Sequence, residues 1–173
     1  MNKISYFLIS ILFLLSFTTL SQDEIKKTIK LQAEKIVTSV FEKEYDTLIK
    51  YTHPRLIELA GGKDVLMEII KSEMKAIEEQ GLIIEKVEIG DSILLGKHKK
   101  EYHTLVPKVM IFRIQGKRIL SKSYLFGFSS DKGKNWTFIE ADKLQSEKGA
   151  LILPNFKTSI KIPKQPDPIF LED

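Results

Sequence analysis

The chain has no cysteine among its 173 residues. Disulfide staples, a cysteine nucleophile, a thiolate metal site and a thioether lipid anchor are therefore excluded together. Histidine is nearly as scarce, with three in all. His98 and His103 flank a lysine-rich stretch but lack a third ligand at a useful spacing, so no metal and no cofactor is expected. No glycine-rich phosphate loop and no nucleophile elbow occurs, and no internal repeat is visible. Net charge is only +4. The basic run Lys97-His98-Lys99-Lys100 carries no interleaved aromatics to stack on bases; it reads as a solvated loop, and nucleic acid is not expected as a partner.

A long apolar run is found only at the start. Lys3 is followed by a charge-free, mostly apolar stretch from Ile4 to Leu15, and Thr19-Leu20-Ser21 closes it. This pattern predicts a secretory signal peptide over residues 1–21, cut after Ser21, and export to the periplasm or the cell exterior. The run is short for a bilayer span and Asp23 and Glu24 follow it, so no stable membrane insertion is expected after cleavage. Residues 22–153 then form one domain, and 154–173 a proline-containing tail. The hydrophobic fraction of 43% and charged fraction of 29% suit a globular core.

Within that domain, Ile25, Ile29, Ala33, Ile36, Val37, Val40 and Phe41 recur at helical spacing and predict a long amphipathic first helix. Asp46 to Tyr51 adds a short helical piece, and Pro54 opens another that Gly61-Gly62 ends. A third amphipathic stretch carries Val65, Leu66, Ile69, Ile70, Met74 and Ile77, and Gly81 stops it. Four strands are expected afterwards: Leu82 to Ile89, Thr104 to Ile114, Ile119 to Ser129 and Asn135 to Ala141. A loop through Gly96 separates the first two, and Pro107 argues for an edge or a bulge. Leu144 to Leu151 suggests a short closing helix. Pro163, Pro166 and Pro168 leave the tail extended or loose. Helices first and hairpin-linked strands afterwards predict an α+β fold, with the helices packed on one face of a curved four-stranded antiparallel sheet.

The phrase Tyr45-Asp46-Thr47-Leu48-Ile49-Lys50-Tyr51-Thr52-His53-Pro54-Arg55-Leu56-Ile57-Glu58-Leu59, its following Gly61-Gly62, and the later Ser123 to Asp131 with Trp136-Thr137-Phe138 resemble segments of secreted bacterial members of the nuclear transport factor 2-like superfamily. That resemblance covers residues 24 to 153. It implies a cone-shaped fold with an open end between helices and sheet, and often a homodimer formed through the sheet; it lends a fold rather than an activity. Separately, Ser129-Ser130-Asp131-Lys132-Gly133-Lys134-Asn135-Trp136 is similar to the Asp-box of sialidase propellers, with asparagine where threonine is usual. A short aspartate gathering loop amides, a glycine at positive φ and a tryptophan beneath give Ser129, Asp131, Gly133 and Trp136 the role of a structural turn.

The pocket implied by the cone directs attention to Tyr45, Asp46, His53, Phe112, Lys122, Tyr124 and Trp136. Lys122 stands between Leu120 and Tyr124, where burial would demand a partner or a lowered pKa; a strand end reaching water is the plainer reading. His53 and Asp46 suit helix capping as well as acid–base work. Together these point to a non-enzymatic binding or interaction domain for a small apolar ligand or a protein partner. The rival reading is a small isomerase, cyclase or hydrolase acting on an apolar ligand.

Overall fold

In a computed structural model the described residues are 21–147 and 149–172. The signal-peptide reading, apart from Ser21, falls outside them. Helix α1, Gln22–Phe41, starts on a reciprocal cap: the Glu24 amide donates to Ser21 Oγ at 3.2 Å and the Ser21 amide donates to Glu24 Oε2 at 2.8 Å. Cleavage after Ser21 would remove this cap, worth about 1 kcal/mol. The helix buries Ile25, Ile29, Ala33, Ile36 and Val37 along one stripe. Helix α2, Tyr45–Tyr51, runs into α3, Pro54–Leu59, and the junction is pinned to the sheet where the His53 amide donates to the Phe138 carbonyl at 3.0 Å. Gly61 and Gly62, at φ 96° and 119°, turn the chain into α4, Lys63–Glu79.

The α+β class and the antiparallel sheet are as the sequence predicts, but the sheet has six strands rather than four. Strands β1 (Ile83–Ile89) and β2 (Leu94–His98) lie end to end along one side of β3 (Glu101–Ile114). Strand β4 (Lys117–Ser129) covers the other side of β3, and it carries β5 (Thr137–Glu140) and β6 (Ile169–Leu171) end to end on its own far side. The expected loop through Gly96 is therefore strand β2, turned into β3 at Lys99-Lys100, with Lys99 at φ 55°. The lysines misled because Lys99 and Lys100 mark the turn, while Lys97 lies within β2 opposite Tyr102 and Leu94 and Leu95 pair with Leu105 and Thr104. The other unexpected strand lies beyond three prolines, where Ile169, Phe170 and Leu171 resume an apolar run.

Pro107 fits a strand paired on both sides because of that broken edge. Its carbonyl accepts from the Gly90 amide at 2.8 Å, just where β1 has ended and β2 has not begun. The missing N–H thus faces a gap in the ladder rather than a partner.

Helices α1 and α2 cover one face of the sheet, packing on Ile89, Val106, Leu125, Trp136 and Phe138. The opposite face is covered as well. After β5 come α5 (Ala141–Gln145) and α6 (Gly149–Ile152), and the segment beyond them crosses the back of the sheet. Phe156, Ile160 and Ile162 pack there against Leu105, Phe126 and Phe128. Two layers of side chains explain why Leu125 and Phe126, neighbours that point to opposite faces, are both buried. Among the described residues no helix is long and apolar enough to cross a membrane.

Candidate functional site

Between the C-terminal half of α1, helix α4 and the helix-covered face of the sheet lies a cavity of about 540 Å³. Helix α1 contributes Ile36, Val37, Val40 and Phe41, and α4 contributes Leu66, Ile69, Ile70, Met74 and Ile77. Sheet residues Ile84, Val87, Met110, Leu125 and Phe138 form the floor. The two helices differ in how they are held. On α1, Ile29 and Ala33 are fully buried, whereas α4 has no buried residue, and Ile69 on its apolar face is 42% exposed. Helix α4 therefore spans the cavity instead of closing onto the sheet. An ion pair from Lys43 to Glu78 at 3.0 Å and the Lys71 ammonium 5.6 Å from the Tyr45 ring tether it.

Charge enters this apolar wall mainly from one side. Alternation along β3 aims Lys108 at the helix-covered face between Val106 and Met110, and Glu140 reaches it from the end of β5. Lys108 and Glu140 form an ion pair, and the Lys108 side chain is only 14% exposed. Lys143 follows one turn later on α5 and also lines the cavity, at an exposed position. Glu73 of α4 and Thr52 complete the polar lining, and the Thr52 hydroxyl is engaged, donating to the Leu48 carbonyl at 2.8 Å.

None of the seven residues singled out from the sequence lines this cavity. Asp46 is exposed in the first turn of α2, and Tyr45 is half-buried beneath Lys71. His53 caps α3, its Nδ1 accepting from the Arg55 amide at 3.1 Å, and its ring stands edge-on to Phe128 at 4.6 Å. Burial holds its pKa below the ordinary histidine value, against a smaller opposing pull from Glu101. Phe112 pairs with Ile119 and Ile84 at the far end of the sheet. Lys122 is exposed opposite Val109, and Tyr124 packs on the back of the sheet. Trp136, 1% exposed, lies in the core beneath α1.

Lys108 and Glu140 were open to the reasoning applied to Lys122: each is charged on a face that its strand otherwise fills with apolar side chains. Which face the helices cover decides between them. Lys122 looks to the back, where it stays exposed.

The Asp-box-like loop forms a closed network. Asp131 Oδ1 accepts from the Ser129 hydroxyl at 2.8 Å and from the Lys134 and Asn135 amides at 3.1 and 2.9 Å, while Asn135 Nδ2 donates to Oδ2 at 2.6 Å. Burial of Asp131 works against ionisation, but these bonds outweigh it and hold its pKa below the usual carboxylate value. Trp136 Nε1 donates to the Gly133 carbonyl at 3.0 Å. Gln32 of α1 receives the Trp136 amide at 2.8 Å and donates to the Lys134 carbonyl at 3.0 Å. A side chain at Gly133 would start 3.0 Å from Ile25 with φ at 87°, so glycine is required.

Behind the sheet, buried His103 bridges two partners: its Nδ1 is 3.1 Å from Thr158 Oγ1 and its Nε2 is 3.0 Å from Glu101 Oε2. Rings of Phe126, Phe128 and Phe156 surround it at 5.3 to 5.7 Å. This ties the C-terminal segment to β3. Among the described residues no cluster of three metal-binding side chains occurs.

Set against known proteins, the chain matches no family model, no curated protein and no solved structure.

Proposed function

We propose that the protein is an exported, non-enzymatic binding domain that takes a small apolar ligand into the cavity between α1, α4 and the sheet. The observation that carries this is a 540 Å³ space walled mostly by aliphatic side chains, with α4 held over it and none of that helix's apolar residues buried. A ligand of ordinary size fits such a volume, and burying it would complete the contacts that α4 lacks. The nuclear transport factor 2-like resemblance and its cone belong to the same proposal, as does action in the periplasm or outside the cell.

An isomerase-type reaction is the second reading, favoured by one observation: a carboxylate and an ammonium, Glu140 and Lys108, meet at the wall of an apolar cavity. Among the described residues that wall holds no histidine, tyrosine, aspartate or serine to share the proton transfers, and Glu140 is already bound to Lys108. Binding is therefore the better-supported function.

The test is titration with N-phenyl-1-naphthylamine, a neutral dye that brightens in apolar surroundings. The wild-type chain should take it up at one saturable site. Ile70→Trp, which fills the cavity from α4, should weaken uptake at least tenfold while circular dichroism stays unchanged. Absence of saturable uptake by the wild-type chain contradicts the proposal.

A further inference from the structure

Resting on the cavity reading above, the geometry points to a ligand class: we infer that the cavity accepts an unbranched aliphatic chain ending in a carboxylate, with the acid lodged where Lys108 and Lys143 flank Glu140.

The shape and chemistry of the wall support the aliphatic part. Among the described residues two aromatic side chains, Phe41 and Phe138, line the cavity, so flat ring systems find little to stack on. Two methionines, Met74 from α4 and Met110 from the sheet, line it amid isoleucine, leucine and valine. Thioether side chains adapt to the irregular outline of a flexible chain.

The distribution of charge supports the acid. Among the described residues, the lining contributed by β3, β5 and α5 holds two ammonium-bearing side chains, Lys108 and Lys143, and one carboxylate, Glu140, a local excess of one positive charge. Lys108 is committed to Glu140. Lys143 forms no ion pair and no side-chain hydrogen bond among the described residues, and it is one of the residues that line the cavity, at an exposed position on its rim. Glu73, the remaining charged group of the lining, is exposed on α4, on the facing wall. An acid arriving between Lys143 and Lys108 would be paired by the first and would share the second with Glu140. A cationic head would meet Lys143 unfavourably, and a neutral alcohol would leave it as it is. Closeness to an apolar wall strengthens this discrimination relative to open water.

The experiment uses the full exported chain loaded with N-phenyl-1-naphthylamine and compares displacement by dodecanoate, dodecanol and dodecyltrimethylammonium below their aggregation thresholds. Dodecanoate should displace the dye at concentrations at least tenfold lower than either of the others. Lys143→Gln, at an exposed position that does not endanger folding, should reduce that preference to threefold or less while leaving dodecanol unaffected. The paired substitution Lys108→Met with Glu140→Leu, which leaves no lone buried charge, should keep a residual preference that Lys143 alone supplies. Equal displacement by all three amphiphiles, or a preference unchanged in Lys143→Gln, overturns the carboxylate assignment while leaving the cavity reading intact. Failure of the wild-type chain to bind the dye overturns both.

Discussion

At the scale of single residues, the hairpin between β4 and β5 concentrates its stability in one carboxylate. Asp131 receives four hydrogen bonds from Ser129, Lys134 and Asn135. Asp131→Ala should therefore lower unfolding free energy by about 2 kcal/mol in urea titration. Because the folded carboxyl titrates below its unfolded value, its contribution is complete above the unfolded pKa and is lost as pH falls through the folded one. The stabilities of the wild type and Asp131→Ala should thus begin to draw together as pH falls below about 4 and go on converging through the lower folded pKa. His53 has the opposite chemistry and the same direction. Burial favours its neutral form, and the Nδ1 lone pair is what caps α3. The unfolded chain takes up the proton first, so stability falls as pH drops below the unfolded value of about 6.5 and levels off below the folded pKa. Replacing His53 with Asn, which retains a capping oxygen, should remove that step from the pH–stability curve. The Asp-box-like spacing made this hairpin readable from residue types alone, because every bond to Asp131 is local, whereas the two bonds made by Gln32 of α1 are not. Lys108 was not readable in that way, since its meaning depends on which face of β3 the distant helices cover.

Among the elements, the C-terminal segment contributes more to the fold than its prolines suggest. Phe156, Ile160 and Ile162 close a second apolar layer over Phe126 and Phe128, and Gly96 makes room for it: a Cβ there would fall 2.8 Å from Ile160 Cγ1. Ile160→Ala should cost about 2–4 kcal/mol, read from the shift of the urea midpoint at constant slope. Removal of residues 154–173 should expose the aromatic back of the sheet and yield a chain that aggregates or unfolds, which light scattering and near-ultraviolet dichroism would reveal. Helices α1 and α4 and the long β3–β4 hairpin were legible because each carries its own period of apolar residues, and α3 because Pro54 and Gly61-Gly62 bracket it. Strands β2 and β6 were not, being short pieces whose formation depends on β3 and β4 as templates. Helix α4 was legible as amphipathic, yet the sequence does not say that its apolar stripe would face an unfilled space. Hydrogen exchange should find α4 amides opening well before those of α1 in the free protein, and slowing when a ligand is bound.

For the molecule as a whole, two opposite faces of one sheet have been given different tasks. The back is sealed by the chain's own end over the half that holds His103, Phe126 and Phe128, with Phe156 packed among them. The front is sealed only over half its length, by α1 and α2, and the other half is roofed by α4 at a distance that leaves the cavity. The most direct measurement of that division is carbon-13 methyl NMR of the methionines during titration with N-phenyl-1-naphthylamine. Met74 and Met110 line the cavity, whereas Met67, on the same helix as Met74, does not. Saturable shifts of the Met74 and Met110 methyls, with Met67 nearly still, are expected if the ligand enters between α4 and the sheet. Unmoved Met74 and Met110 signals at saturating dye, or equal shifts of all three, would contradict the cavity as the binding site.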